Sequence, residues 1–271
     1  MKKWMGMAVT ALATLTLTTS VIKADDESNA NTEAAQESVD YSGEVRISGK
    51  TNRERLGQFN YLLRHNLGYD IYPQVVGFKG EKQKINIRYE GDQNNFKVYY
   101  SKSKEMQNFN TDKLKGAKTY ATLTKKTYDS VDKAKAAVSF KTIDTKKLGS
   151  KIQYLKNNQP AVITKAAGGQ TLRWNFGAKW ESIVIGAGNS TTKKANKVAT
   201  NVAKNGLPSI DGKGVLRFDN DGSQIKWYDG KVVYTLETTS YKSGLAMIQA
   251  LTNPEAQAKA ESQASAQSQS E

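Results

Sequence analysis

Three strand-turn-strand blocks constrain this chain more than any other feature. The first runs from Lys84 to Asp92 and resumes from Asn95 to Tyr100. The second covers Thr171 to Gly177 and Trp180 to Ile185, and the third Gln224 to Gly230 and Lys231 to Leu236. In each block apolar and polar residues alternate, a Gly stands at the turn, and β-branched or aromatic residues follow. That is the pattern of a hairpin with one buried face. A further strand, Gly214 to Phe218, leads through Asp219-Asn220-Asp221-Gly222 into the third block, which predicts a meander. The triplets Ile87-Arg88-Tyr89, Leu172-Arg173-Trp174 and Ile225-Lys226-Trp227 repeat an aliphatic, basic, aromatic signature. They suggest two comparable halves, 43–150 and 151–252.

Helical spacing fills the intervals. Leu56, Phe59, Leu62 and Leu63 fall on one side of a helix from Thr51 to Leu67, with Gly68 placed to end it. Helices are also expected over Asp129–Phe140, over Thr191–Asn205, which Gly206 and Pro208 stop, and over Ser240–Leu251. Hairpins separated by helices predict an α+β fold, an antiparallel sheet flanked by helices.

The 271 residues contain no Cys and one His. These counts exclude disulfides, thiol nucleophiles, zinc-thiolate sites and multi-His metal centres. No cofactor is called for. Met1-Lys2-Lys3-Trp4, an uncharged stretch from Met5 to Ile22, and Ala24 ahead of Asp25-Asp26-Glu27 read as a signal peptide over 1–24. The expected destination is extracellular, free or associated with a cell wall. Residues 25–42 carry six acids and no base, and 253–271 is an Ala/Gln/Ser-rich acidic tail; both are expected to be disordered. The basic excess therefore lies in 43–252, with 36 Lys and Arg against 17 Asp and Glu, or +19.

Alternation sorts those charges. On the predicted strands Arg88, Lys97, Arg173, Arg217 and Lys226 point away from Ile87, Phe96, Trp174, Phe218 and Trp227. If the blocks join one sheet, the five basics share its polar face and are candidate anion-binding residues, while the tryptophans are core. A solvated face that happens to be basic explains the same pattern. An excess of +19 nevertheless raises affinity for any polyanion. Export and the absence of a nucleic-acid motif point to anionic envelope polymers or lipid head groups, not nucleic acid.

Other features have ordinary explanations. His65 stands at a helix C-terminus, where a cation is favoured. Asp219-Asn220-Asp221-Gly222 lacks the later ligands of a calcium loop, since Gly230 occupies the position of the closing Glu. Gly186-Ala187-Gly188-Asn189-Ser190 lacks the third Gly and the Gly-Lys-Ser/Thr ending of a phosphate loop. Glu90, Asp92, Glu181 and Asp229 could supply a carboxylate pair for glycan hydrolysis, which spatial separation decides.

The stretch from Leu172-Arg173-Trp174 to Trp180, Gly206-Leu207-Pro208, Ile225-Lys226-Trp227-Tyr228-Asp229-Gly230 to Tyr234, and Gly244-Leu245-Ala246-Met247 resemble a group of exported proteins and lipoproteins of unknown function from Gram-positive bacteria. The resemblance spans 70–252. It implies export and no catalytic residues, and the lipid-attachment Cys of the lipoprotein members is absent here. The expectation is an exported, non-enzymatic protein held electrostatically at an anionic bacterial surface. The alternatives are a secreted carboxylate-dependent glycan hydrolase, and an extracellular module binding a protein or small amphiphile between sheet and helices.

Overall fold

The computed structural model describes residues 41–251, except 69–70, 145–150 and 167. The expected signal peptide, almost all of the acidic segment 25–42 and the tail 253–271 lie outside the described residues.

The elements follow the order α1 (Asn52–Leu67), β1 (Lys84–Gly91), β2 (Phe96–Ser103), β3 (Thr119–Thr127), α2 (Val131–Val138), β4 (Ile152–Tyr154), β5 (Pro160–Ala166), β6 (Gly169–Phe176), β7 (Trp180–Gly186), α3 (Gly188–Asn205), β8 (Gly214–Phe218), β9 (Ser223–Asp229), β10 (Val232–Thr238) and α4 (Tyr241–Gln249). The strands form one sheet ordered β1-β2-β3-β10-β9-β8-β7-β6-β5-β4. This is the α+β architecture that the hairpin blocks predict. Every pairing is antiparallel except β7 with β8. Those two are joined by the 18-residue α3, the length of connection that a parallel pair needs.

The two expected halves are unequal and share the sheet. Residues 43–150 contribute three strands, residues 151–252 seven, and the seam between them is the β3–β10 ladder. The repeated triplets lie on β1, β6 and β9, the first strand of each of three hairpins.

Local chemistry sets the helix ends. The Thr51 hydroxyl accepts from the Glu54 N–H and the Glu54 carboxylate accepts from the Thr51 N–H, a reciprocal capping box. Gly68 closes α1 at φ 83°, a backbone region that a side chain resists. Ser130 caps α2 through the Lys133 N–H.

The helices divide unevenly between the faces. α1 packs on β1, α3 on β6 and β7, and α4 on β9 and β10. Between them and the sheet lies the main core, including Phe59, Leu63, Trp174, Trp227, Phe218, Leu216, Leu236 and Met247, all fully buried. Gly244 lets α4 approach closely, because a Cβ there would stand 2.0 Å from Ser223 Oγ. On the opposite face α2 is the one longer helix, where Ala134 and Val138 pack on Val215 and Val233. It is joined there by the segment that follows it and, beside β1, by the turn at Asp112–Leu114. An eight-residue helix is about 12 Å long, whereas ten strands span roughly 43 Å, so most of this face stays open. No helix among the described residues is long and apolar enough to cross a membrane.

Candidate anion-binding face

Register decides which side chains share the open face. Successive ladders align Arg88, Tyr99, Thr122, Glu237, Gln224, Arg217, Ile183 and Arg173 in one row across the sheet. The adjacent row aligns Glu90, Lys97, Thr124, Thr235, Lys226, Val215 and Glu181. The sheet thus places all five candidate basics on the face away from the main core, while Trp174 and Trp227 are fully buried on the other side.

They do not form one cluster. Arg217 and Lys226 are diagonal neighbours on β8 and β9, and Arg173 lies two strands from Arg217, roughly 10 Å away. Lys97 stands three strand spacings, about 14 Å, from Lys226, and Arg88 five, about 24 Å, from Arg217. Arg88 is also engaged elsewhere. It pairs with Glu90, donates from Nε to the Leu114 carbonyl at 3.1 Å, and lies 3.7 Å over the Tyr99 ring. The bonds from Arg88 and Tyr99 hold the Glu90 carboxyl below its ordinary value. Burial, followed by the hydrogen bond to Glu90, raises the Tyr99 hydroxyl. Lys97 is exposed beside the same ring, 5.5 Å from its centroid.

Arg173, Arg217 and Lys226 meet at a cleft of about 300 Å³ between the C-terminal end of α2 and the sheet. Arg173 donates from Nε to Glu181 Oε1 at 2.9 Å and makes a second bond to the same oxygen from Nη2. Glu181 is fully buried, and its Oε2 accepts from the Lys141 N–H at 2.8 Å. Asn175 extends the stitch, accepting from the Ile143 N–H and donating to the Lys141 carbonyl. The chain leaving α2 is therefore tied to the β6–β7 hairpin along one side of the cleft. Arg217 is half exposed and lies 3.9 Å from Asp219.

Sequence reasoning overlooked Lys141 and the partnership of Glu181. The second was accessible, because a turn at Gly177 sets the β6–β7 register and places Glu181 diagonal to Arg173. Lys141 enters only because the segment after α2 folds back over the sheet.

The remaining candidates occupy local roles. Asp92 Oδ1 accepts from the Asn94 and Asn95 N–H groups and closes the β1–β2 turn. Glu90 and Glu181 lie six strand spacings apart, roughly 29 Å, too far to act on one glycosidic bond. Asp219 Oδ1 accepts from the Asp221 and Gly222 N–H groups and is turned into its own loop. No cluster of three metal-ligating side chains occurs among the described residues. His65 is exposed, with Nε2 2.9 Å from the Tyr61 hydroxyl. Gly188 already belongs to α3, and Lys194 donates to the Asp219 carbonyl.

No family model, curated protein or solved structure matches this chain.

Proposed function

We propose that this protein is an exported, non-enzymatic module that associates electrostatically with an anionic bacterial surface through the open face of its sheet. The anions are phosphate polymers or lipid head groups of the envelope. The observation that carries the reading is the alignment of Arg88, Lys97, Arg173, Arg217 and Lys226 on one helix-poor face. It is supported by an excess of 36 basic over 17 acidic residues in 43–252. A broad face bearing separated cations suits an extended polyanion, because each contact adds little and several act together.

The test is binding of the purified protein to isolated wall material across a salt series. Retention is expected at low ionic strength and release by ~1 M salt, where screening acts over about 3 Å. Lys97→Gln combined with Lys226→Gln is expected to shift the release midpoint to lower salt. Retention that ignores salt, or a double variant that elutes with the parent protein, would overturn the reading.

A further inference from the structure

The cleft at the end of α2 has a character that a general basic face does not require. Its floor is apolar, formed by Val138 of α2, Ile183 of β7 and Val215 of β8. Its wall is cationic, with Arg217, Lys226 and Lys141 beside the Arg173–Glu181 pair. The cleft is half open, and its volume of about 300 Å³, with an apolar floor and a polar, mostly cationic wall, is at the lower end of the range for small-molecule sites.

Its charges are unevenly satisfied. Glu181 neutralises Arg173 and orients it, leaving Nη1 available. Asp219 reaches Arg217 only at 3.9 Å. The next carboxylate along the row, Glu237, accepts from the Gln224 amide at 2.8 Å. The Nζ atoms of Lys226 and Lys141 have no hydrogen-bond or ion-pair partner among the described residues. Arg217 and Lys226, diagonal neighbours of like sign, repel, and Glu237, diagonal to Lys226 on its other side, offsets part of this. Arg173, Arg217, Lys226 and Lys141 against Glu181, Asp219 and Glu237 leave a net excess of about one positive charge at the cleft. A dianionic head relieves that repulsion better than a single carboxylate. Phosphate also offers the oxygen geometry that guanidinium and ammonium groups recognise.

We infer that this cleft is a discrete site for a small amphiphilic phosphate, with its head on Arg217, Lys226 and Lys141 and a short alkyl chain on Val138, Ile183 and Val215. This goes beyond surface association, which needs only distributed charge and makes no use of the apolar floor. Arg173 acts as a positioning residue: its pairing with Glu181, and the Lys141 N–H on the same carboxylate, fix the wall against the sheet.

The test is calorimetric titration of the full chain with hexyl phosphate, inorganic phosphate and the neutral hexyl glucoside, each below its micellar concentration. Hexyl phosphate is expected to bind at least about tenfold more tightly than inorganic phosphate, since each buried methylene is worth roughly fourfold. Hexyl glucoside is expected not to bind. Arg217→Gln with Lys226→Gln should weaken hexyl phosphate about tenfold or more, whereas Lys204→Gln, exposed at the end of α3 on the other side of the sheet, should leave it unchanged. Methyl NMR shifts on titration should concentrate at Val138, Ile183 and Val215. Equal affinity for hexyl and inorganic phosphate, an unaffected double variant, or methyl shifts elsewhere would each overturn the site. Failure here with salt-sensitive wall binding intact removes only the cleft. Hexyl phosphate binding without any wall binding removes only the surface reading.

Discussion

Arg55 illustrates how one side chain can organise a whole neighbourhood. It is fully buried in α1, and its hydrogen-bond partners among the described residues are all neutral. Instead Nε donates to the Ile85 carbonyl at 2.9 Å, and Nη2 donates to Asn86 Oδ1 at 2.8 Å and the Gln107 carbonyl at 2.7 Å. The guanidinium also lies 5.2 Å from the Phe59 ring centroid. Desolvation pulls its pKa below the ordinary value, and the cation is retained because neutral acceptors surround it. One residue thus joins α1, the edge strand β1 and the loop ahead of β3. Removing it strands several buried acceptors. Arg55→Ala is expected to cost about 3 kcal/mol, read as a lower denaturation midpoint at unchanged m-value. Arg55→Lys cannot reach the same acceptors and should recover only part of the loss. A midpoint for Arg55→Ala within error of the parent protein would show that the network contributes nothing net.

At the scale of elements, acidic residues close turns and caps in their ionised form. Backbone N–H groups of Thr51 and Lys50 hold Glu54 below its ordinary value, those of Asn95 and Asn94 do the same for Asp92, and Arg88 with Tyr99 lowers Glu90. A carboxyl whose folded pKa is depressed contributes stability above its unfolded value. That contribution fades as pH falls through the folded value, so the melting temperature should drop below about pH 4. Glu54→Gln and Asp92→Asn keep an acceptor and remove the titration. The pair should melt lower at pH 7 yet lose less between pH 5 and pH 3. An acid slope identical to that of the parent protein would sink this account. The same elements show what the sequence made legible. The hairpins at Gly91, Gly177 and Gly230 and all four helices announce themselves by alternation, by caps and by apolar spacing. β3 does not, because along its Thr- and Lys-rich run only Tyr120, Ala121 and Leu123 are buried. β4 is three residues long and β5 turns increasingly exposed, so neither carries a clear period. The shared face of the five basics followed from alternation once the strands were known. The cleft did not follow, because nothing in the Ala134 and Val138 spacing of α2 tells which face of the sheet it will cover.

At the scale of the molecule, the decisive contact is the pairing of β10, the last strand in sequence, with β3. It joins strands more than 100 residues apart in sequence inside one sheet, with Leu236 and Leu123 directly opposed and fully buried. The seam forms only by closing a long loop, so neither side gains it alone. A division near residue 150 would leave β3 with an unpaired, Thr- and Lys-rich edge and β10 with an unpaired apolar one. The described region should therefore unfold as one cooperative unit. Its tryptophans offer a direct check, since Trp174, Trp180 and Trp227 all lie beyond residue 150. Their fluorescence reports the 151–252 side, while far-ultraviolet circular dichroism reports every helix and strand. The two denaturation curves are expected to coincide, with one midpoint and one slope. Leu236→Ala should move both together, by about 2–5 kcal/mol for a fully buried leucine. Curves that separate, with a dichroism phase lacking a fluorescence counterpart, would mean that β1 to β3 can come apart from the rest. In that case the row of basic residues from Arg88 to Arg173 would not be held on a single rigid face.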